Sequence, residues 1–260
     1  MSVDLAAYLR RIGLQATPLA ELEGLRALHF AHATRIPFEN LDVQMGRPIR
    51  LDLDSLQDKL VRRGRGGYCF EHNTLFLAVL KAVGFSAFPC EARVRLGALE
   101  VLPRTHMLLL VRVDGALWLC DVGFGGRGLL HPMPLDGEAH RQFMDTFRVA
   151  EEGHLRVLQS FYMGAWEDLY AFEPEPRLPI DFELANHYTS THPESRFLKT
   201  LTAQLPGPEV RRILRNRGYA ELRGNAVEGR ELAPEELIPT LREVFGIEVP
   251  EGARFRAFEG

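Results

Sequence analysis

The sequence predicts an α+β fold, in which a helical N-terminal region is followed by an antiparallel sheet or small β-barrel. The first observation behind this prediction is that apolar residues recur at helical spacing up to Gly84. The second is that from Phe85 onward they fall in short runs typical of strands. The 260 residues are enough for one or two domains with a buried core.

Helical segments precede the sheet. The first ones are defined by Leu5, Leu9 and Ile12, by Leu22, Leu25 and Leu28, and by Leu56, Leu60 and Val61. A further apolar run starts at Cys69, after a glycine-rich break at residues 64–67 that disfavours helix. This run ends at Gly84, a residue typical of helix C-terminal caps, and it predicts a buried helix.

Short β-like runs make up the central part of the chain. They cover residues 92–96, 106–113, 116–122, 146–149 and 155–160. The Asp114-Gly115 step between two of them is a strong hairpin signal, so these two strands should pair. Prolines alternate with charged residues at 173–179, which indicates a surface linker, and Asp181 then begins a helical stretch. A final helix is predicted for residues 234–246.

Charge and composition argue against a nucleic-acid binder. The chain carries 31 Lys and Arg against 35 Asp and Glu, a formal net charge of -4, and 46% hydrophobic residues. These values are close to those of an average soluble protein. The densest basic run, Arg62, Arg63 and Arg65, is short and broken by glycine, and we expect it to be a solvated helix end. No nucleic-acid partner is therefore expected.

The sequence also favours a cytoplasmic protein without a membrane partner. Residues 1–10 have no apolar segment behind a basic start, and no later stretch approaches the roughly 18 apolar residues of a membrane helix. Cys69, Cys90 and Cys120 are an odd number at wide spacing, which favours a reducing compartment over a disulfide framework. Close ligand pairs such as CxxC or HExxH are absent from the sequence, so no metal is expected. The sequence leaves the oligomeric state open.

Cys69 is the residue best placed for nucleophilic chemistry. It stands at a predicted helix start directly after Gly66 and Gly67. The unpaired N–H groups and partial positive charge of a helix N-terminus stabilise a thiolate. The two glycines would leave room for a substrate or a carbonyl oxygen to approach the backbone, which makes the Cys69 amide a candidate oxyanion donor.

A cysteine nucleophile needs an imidazole within reach, and the imidazole needs a carboxylate to orient it. His106 begins one strand of the predicted hairpin, and Asp121 lies at the end of the other. Residues equidistant from a hairpin turn face each other. His106 and Asp121 are almost equidistant from Asp114-Gly115, so they should lie opposite each other within a bulge of about one or two residues.

Each of these residues also has a plainer interpretation. A single buried cysteine is usually a small apolar residue, which is how we interpret Cys90 and Cys120. His72 follows Cys69 on the same helical face and competes with His106 for the role of base. We rank His72 lower, because side chains on one helix both point back along it and away from a shared substrate.

Longer motifs resemble those of the arylamine N-acetyltransferases. In chain order they are Ile36-Pro37-Phe38-Glu39-Asn40-Leu41, Arg65-Gly66-Gly67-Tyr68-Cys69-Phe70-Glu71-His72-Asn73, Thr105-His106, Asp121-Val122-Gly123-Phe124-Gly125 and Ser190-Thr191-His192-Pro193-Glu194-Ser195-Arg196-Phe197. The first two are long enough to be specific by themselves. Together the motifs extend the resemblance over nearly the whole chain.

The resemblance implies roles for the three residues. Cys69 would be the acetylated nucleophile, His106 the base and Asp121 the carboxylate that orients it, with acetyl-coenzyme A as co-substrate and no metal. His72 is not a required histidine in the family. This agrees with its lower rank.

The resemblance also implies an architecture. A helical bundle at residues 1–84 would carry the nucleophile, a β-barrel at 85–180 would carry His106 and Asp121, and an α/β lid would follow at 181–260, around a core like that of the cysteine proteases. The one departure is a short tail after the lid helix, which bears on C-terminal contacts to coenzyme A.

The glycine-rich loop after Asp121 is a candidate coenzyme A site. Residues 123–128 match the pattern GxGxxG, but the prolines that follow prevent the helix that a dinucleotide fingerprint requires. Free amides in such a loop can still hold a pyrophosphate, and the resemblance assigns this loop to coenzyme A. The alternative is a plain tight turn. The residues expected to contact the cofactor are Gly123, Phe124, Gly125, Gly126 and Phe197.

Phe38, Phe124 and Phe197 are expected, from the same resemblance, to line an aromatic acceptor pocket. An ordinary core position is an almost equally good interpretation of Phe38, since aromatic side chains of this size are normally buried.

Arg65 and Glu39 each lie within a motif, and we expect them to form an ion pair that holds the nucleophile loop. If both were exposed, such a pair would contribute only about 0–1 kcal/mol.

The implied function is a ping-pong transfer of acetyl from acetyl-coenzyme A, through a cysteine thioester, to an arylamine, arylhydrazine or N-hydroxyarylamine. One alternative is a papain-like hydrolase or amide synthase, because such triads recur across unrelated chemistries. Transfer to an amine in preference to water would separate the two. Another alternative is a catalytically silent binding module for coenzyme A or a partner, which would lack a reactive thiol.

Overall fold

The computed structural model describes residues 2–258, so the outer limits 1 and 260 of the predicted domains lie outside the described residues. Its helices are α1 (Leu5–Ile12), α2 (Leu22–Arg35), α3 (Leu41–Gln44), α4 (Leu53–Leu56), α5 (Cys69–Val83), α6 (Pro179–Thr191), α7 (Arg196–Lys199) and α8 (Leu237–Phe245). Its strands are β1 (Phe38–Glu39), β2 (Ser86–Val94), β3 (His106–Val113), β4 (Ala116–Cys120), β5 (Met133–Pro134), β6 (His140–Gln142), β7 (Asp145–Glu152), β8 (Leu155–Tyr162), β9 (Ala165–Phe172), β10 (Thr202–Leu205), β11 (Arg211–Arg215), β12 (Gly218–Arg223) and β13 (Ala226–Glu231). Helices and antiparallel strands occupy separate stretches of the chain, which confirms the α+β class.

The N-terminal helices begin and end at residues that favour such boundaries. At the start of α1 the Asp4 side chain accepts a hydrogen bond from the Ala7 amide. The helix predicted from Cys69 is confirmed, and Gly84 caps it with a positive φ of 109°. The helix predicted around Leu56 differs, because α4 passes into a π-helical turn, Gln57–Arg62. Within residues 2–258 no helix is long and apolar enough to span a membrane.

The central sheet is antiparallel and nearly closed. Its strand order is β5-β4-β3-β2-β9-β8-β7-β6, and β5 at one edge contacts β7 next to the other edge, so the sheet curls into a barrel. Strand β3 is covered on both faces: Met107 and Leu109 join the core under the helices, while Leu108 and Leu110 face the barrel interior. This two-sided burial explains why the apolar run of β3 is continuous. Strands β5, β6 and β9 were not predicted.

The predicted hairpin is confirmed. Val113 pairs with Ala116 and Leu109 pairs with Cys120, and both turn residues have positive φ, 49° at Asp114 and 81° at Gly115. This is the combination that a tight two-residue hairpin requires. Strand β4 ends at Cys120, so Asp121 follows the strand directly.

A second sheet covers the C-terminal third of the chain. Its order is β1-β10-β11-β12-β13, with α8 packed beside it around a core that includes Leu201, Leu214 and Leu241. Strand β1 reaches this lid from the N-terminal part of the chain, since Phe38 pairs with Gln204. The strands of the lid had no individual prediction, and the three-domain division stays a prediction.

One asparagine joins the helical part to the lid. The Asn40 side chain donates to the Phe197 and Thr200 carbonyls, at 2.9 and 2.8 Å, and accepts from the Thr202 amide at 2.8 Å. On the barrel side, the buried Arg211 of β11 pairs with Asp145 at 2.7 Å. The lid is thus held against both other parts of the molecule by buried polar contacts.

Candidate active site

Cys69 is the first residue of α5 and is buried. The turn before it is fixed by the Tyr68 amide, which donates to Glu71 Oε2 at 3.0 Å. The glycines before Cys69 are required by packing: a Cβ on Gly66 would lie 1.9 Å from the Pro37 carbonyl oxygen, and one on Gly67 would lie 2.7 Å from Glu71 Oε2. The expectation that these glycines leave room for a substrate is therefore wrong, because the protein itself fills that space.

The structure brings His106 and Asp121 together. His106 Nε2 donates to Asp121 Oδ2 at 2.7 Å, and both side chains are buried. The expected bulge is absent from their hairpin: Leu109 is opposite Cys120 with no irregularity, which places Asp121 opposite Leu108. His106 and Asp121 are therefore diagonal neighbours on one face, a spacing that long side chains can bridge.

Cys69 belongs to the same constellation. Cys69 and His106 line one cavity, and the Cys69 sulfur lies 3.7 Å from the carbonyl oxygen of Thr105. Burial alone would lower the pKa of His106, but the carboxylate of Asp121 and the sulfur of Cys69 raise it to about 10. His106 is thus an imidazolium at neutral pH. Asp121 occupies its Nε2, which leaves Nδ1 for the sulfur.

Asn73 is a site residue that the sequence analysis missed. Its side chain donates to Asp121 Oδ1 at 3.0 Å and to the Met107 carbonyl at 2.7 Å, and accepts from the Val122 amide at 3.3 Å. Asn73 lies one helical turn after Cys69, so one face of α5 carries both the sulfur and the group that orients Asp121. A polar residue four positions after the nucleophile, on the same helical face, was the available signal.

His72 is occupied elsewhere and does not face the sulfur. Its Nε2 donates to the Pro37 carbonyl at 3.2 Å, so its Nδ1 must accept from His32 Nε2 at 2.8 Å. His32 Nδ1 in turn accepts from the Tyr8 hydroxyl at 2.7 Å. Burial lowers the pKa of His72 to about 4, so the ring is neutral and held within the core.

The other two cysteines are in apolar surroundings. Burial raises the pKa of Cys90 to about 12 and that of Cys120 well above its ordinary value. Both thiols therefore stay protonated near neutral pH and behave as small core residues.

A buried network of charges lies beneath the start of α5. Arg65 Nη2 is 2.7 Å from Glu39 Oε1, which confirms the expected ion pair. The prediction that Arg65 is solvated is wrong, since its side chain is 6% exposed. Lys59, which had not been singled out, lies in the π-helical turn and is 2.7 Å from both Asp42 and Glu71. Removing one member of such a network leaves an unpaired buried charge and costs about 3–5 kcal/mol.

Two connected spaces open at the triad. A cavity of about 180 Å³ contains Cys69 and His106. A groove of about 900 Å³ runs from it between β2 and the lid strands. Phe124 and Phe197 line both spaces, and Phe38 lines the cavity although it is 5% exposed. The pocket and core interpretations of Phe38 therefore both hold.

Known proteins are similar to this chain in sequence and in fold. The model of a family described as N-acetyltransferase matches residues 21–254. An arylamine N-acetyltransferase of Mycolicibacterium smegmatis is 38% identical over 257 residues, which are 96% of this chain and 94% of the relative. The chain belongs to the arylamine N-acetyltransferase family.

The names of two further members of the arylamine N-acetyltransferase family mention a substrate or a ligand. The Salmonella typhimurium protein named arylamine N-acetyltransferase / N-hydroxyarylamine O-acetyltransferase is 40% identical over 199 residues, 76% of this chain and 71% of that protein. The solved structure of the Mycobacterium marinum arylamine N-acetyltransferase in complex with CoA superposes with a TM-score of 0.89 at 36% identity, over 94% of this chain and 93% of that one.

The glycine-rich loop at residues 123–128 forms hydrogen bonds and close packing contacts within the protein. The Gly123 amide donates to Asp121 Oδ1 at 2.9 Å and the Gly126 amide donates to Gln204 Oε1 at 2.6 Å. A Cβ on Gly123 would lie 2.8 Å from the Cα of Cys69, and one on Gly125, where φ is 88°, would lie 2.7 Å from Gln204 Oε1. The argument from free amides is therefore wrong for Gly123 and Gly126. The assignment of this loop to coenzyme A, including Gly125, stays a prediction.

Within the described part of the chain, no group of three or more His, Cys, Asp or Glu could hold a metal ion.

The charge of His106 predicts the pH dependence of Cys69 alkylation. The pKa of His106 is raised to about 10, so its positive charge is present below that pH and is lost above it. We expect the iodoacetamide reaction at Cys69 to persist well below pH 7, with its inflection moved to higher pH in His106→Ala.

The matched control is His72→Ala, which removes a buried histidine of α5 that does not face the sulfur. An inflection that is the same in His106→Ala as in the wild type would show that His106 is not coupled to Cys69.

Proposed function

We propose that this protein transfers acetyl from acetyl-coenzyme A to aromatic amines through acetyl-Cys69. The observation that carries the proposal is a cysteine at a helix start that shares a cavity with a buried, hydrogen-bonded His106 and Asp121. Membership of the arylamine N-acetyltransferase family supports it.

The two half-reactions use the same three residues. The Cys69 thiolate attacks the thioester carbonyl, the bond from carbonyl carbon to coenzyme A sulfur breaks, and His106 gives its proton to the departing thiolate. The amine then attacks acetyl-Cys69, His106 takes the amine proton, and the Cys69 thiolate leaves. Asp121 keeps the ring oriented and stabilises its charged form. The Cys69 amide, at the N-terminus of α5, is the proposed oxyanion donor.

The larger groove is the proposed site for coenzyme A. Its volume is about 900 Å³, and Phe124 and Phe197 line both this groove and the cavity with Cys69. Arg196 and Arg215 line it, and within the described residues neither has a carboxylate inside 4.0 Å. The protein around Arg196 and the like charge of Arg215 lower the pKa of Arg196. Two unpaired guanidinium groups at one place favour an anionic ligand such as a phosphate. The relative in complex with CoA supports this choice of ligand.

The smaller cavity is the proposed acceptor site. Phe38, Phe124 and Phe197 supply aromatic walls around the sulfur, and a volume of about 180 Å³ suits a flat aromatic amine or hydrazine. N-hydroxyarylamines are included, because the name of the Salmonella relative contains that activity.

The cytoplasm is the proposed location. All three cysteines are free, which suits a reducing compartment.

Cys69 variants test the proposed function. Cys69→Ser should lose acetyl transfer by more than about 10³-fold, because a hydroxyl is not ionised as a thiol is. Cys90→Ala and Cys120→Ala are matched controls and should retain most of the activity. Mass spectrometry after mixing the enzyme with acetyl-coenzyme A should find one added acetyl group, on the peptide that contains Cys69.

Three outcomes would contradict the proposal. One is an acetyl group on another cysteine. Another is a Cys69→Ser protein with full activity. The third is an acetyl-enzyme that reacts with water as fast as with saturating aniline, which would indicate a hydrolase.

The paired arginines predict how the donor is recognised. The double variant Arg196→Gln, Arg215→Gln should raise KM for acetyl-coenzyme A by about 10- to 100-fold, since charge-assisted contacts to phosphate are lost. Turnover of S-acetylpantetheine, which has the thioester but no phosphate, should stay within about twofold. Arg212→Gln is the control, because Arg212 lies on the same strand as Arg215 but pairs with Glu221. An equal loss with both donors would show that the arginines do not bind phosphate.

A further inference from the structure

A histidine outside the triad contacts the backbone of Asp121. His29, on α2, is completely buried, and its Nε2 accepts a hydrogen bond of 3.1 Å from the Asp121 amide. Its ring packs edge-on against Phe76 of α5. His29 thus connects a third element to the residue that orients His106.

This contact fixes the tautomer of His29. A backbone amide can only donate, so Nε2 carries a lone pair and the proton lies on Nδ1. Nδ1 is buried, and the backbone of Leu130 interacts with the ring so as to raise its pKa. The lone pair of Nε2 is therefore committed to the Asp121 amide.

The ring holds Asp121 without bringing a second charge to the site. Burial lowers the pKa of His29 to about 4, although the nearby carboxylate of Asp121 acts in the opposite direction. The other titratable groups near the ring are His131 and His32. A neutral ring cannot compete with the His106 imidazolium for the carboxylate of Asp121.

We infer that His29 is a positioning residue for the acetyl transfer, which sets through the Asp121 amide where that carboxylate meets His106. The side chain of Asp121 is held from one side by Asn73 and Gly123. Among the described residues, His29 supplies the only side-chain hydrogen bond to the main chain of Asp121. The inference rests on the proposed function, since it assigns a role within that reaction.

Three variants of His29 test this role. His29→Gln keeps an acceptor near the position of Nε2, whereas His29→Leu and His29→Phe remove it. We expect the two acceptor-free proteins to lose about 10- to 100-fold in kcat, as small displacements of a catalytic group do. KM for acetyl-coenzyme A should stay within about twofold, and the Gln protein should stay within about threefold of wild-type kcat. His131→Phe is the control, because His131 lies near His29 but stacks on Phe30 and Phe143 instead of a triad residue.

The pH profile distinguishes positioning from a merely structural role. A displaced Asp121 should support the charge of His106 less well, so the inflection of Cys69 alkylation should move to higher pH in the acceptor-free proteins, toward that of His106→Ala. His29→Gln should keep the wild-type inflection. Folded acceptor-free variants with wild-type kcat and an unmoved inflection would overturn the inference. So would a His29→Gln protein as impaired as His29→Leu. If neither acceptor-free protein folds, the Gln protein decides alone: a wild-type profile supports the role, and a lost one overturns it.

Alkylation also separates this inference from the proposed function. If wild-type enzyme transferred no acetyl group, the proposed function would fail, yet the alkylation profiles would still report whether His29 positions Asp121 against His106.

Discussion

The buried pair of His106 and Asp121 constrains everything built around it. An imidazolium and a carboxylate removed from water are stable only when their remaining lone pairs and protons are bonded. Asp121 meets this condition with donors from His106, the Asn73 side chain and the Gly123 amide. The resulting pair keeps the pKa of His106 at about 10. A charged imidazole is what gives the neighbouring Cys69 sulfur a counter-ion.

The surrounding fold keeps water away from this pair and fixes the positions of its two side chains. Helix α5 carries both Cys69 and Asn73 on one face, so it fixes the sulfur and the Asp121 carboxylate together. The loop after Asp121 turns so close to α5 that Gly123 has no room for a side chain. Below the helix, Lys59 and Arg65 form ion pairs with three carboxylates, and one of these, on Glu71, fixes the turn that presents the sulfur.

The sequence predicted those features that depend on residues close together in the chain. The start of α5 after a glycine turn and the Asp114-Gly115 hairpin are local patterns, and both are present. What it missed depends on residues that are distant in the chain. The glycine at 66 is explained by a Pro37 carbonyl that belongs to another segment, and the partners of Asn73 come from β3 and the loop after β4. The hairpin suggested His106 and Asp121 as partners, but only the three-dimensional register shows that they meet diagonally.

The protonation state of His106 tests the central claim most directly. In protein labelled with ¹⁵N at histidine, with the His106 signals assigned by their loss in His106→Gln, the ring nitrogens report the charge at each pH. The account predicts an imidazolium from neutral pH up to about 10, while buried His72 stays neutral throughout that range. A His106 ring that loses its proton near the ordinary value of about 6.5 would contradict the account.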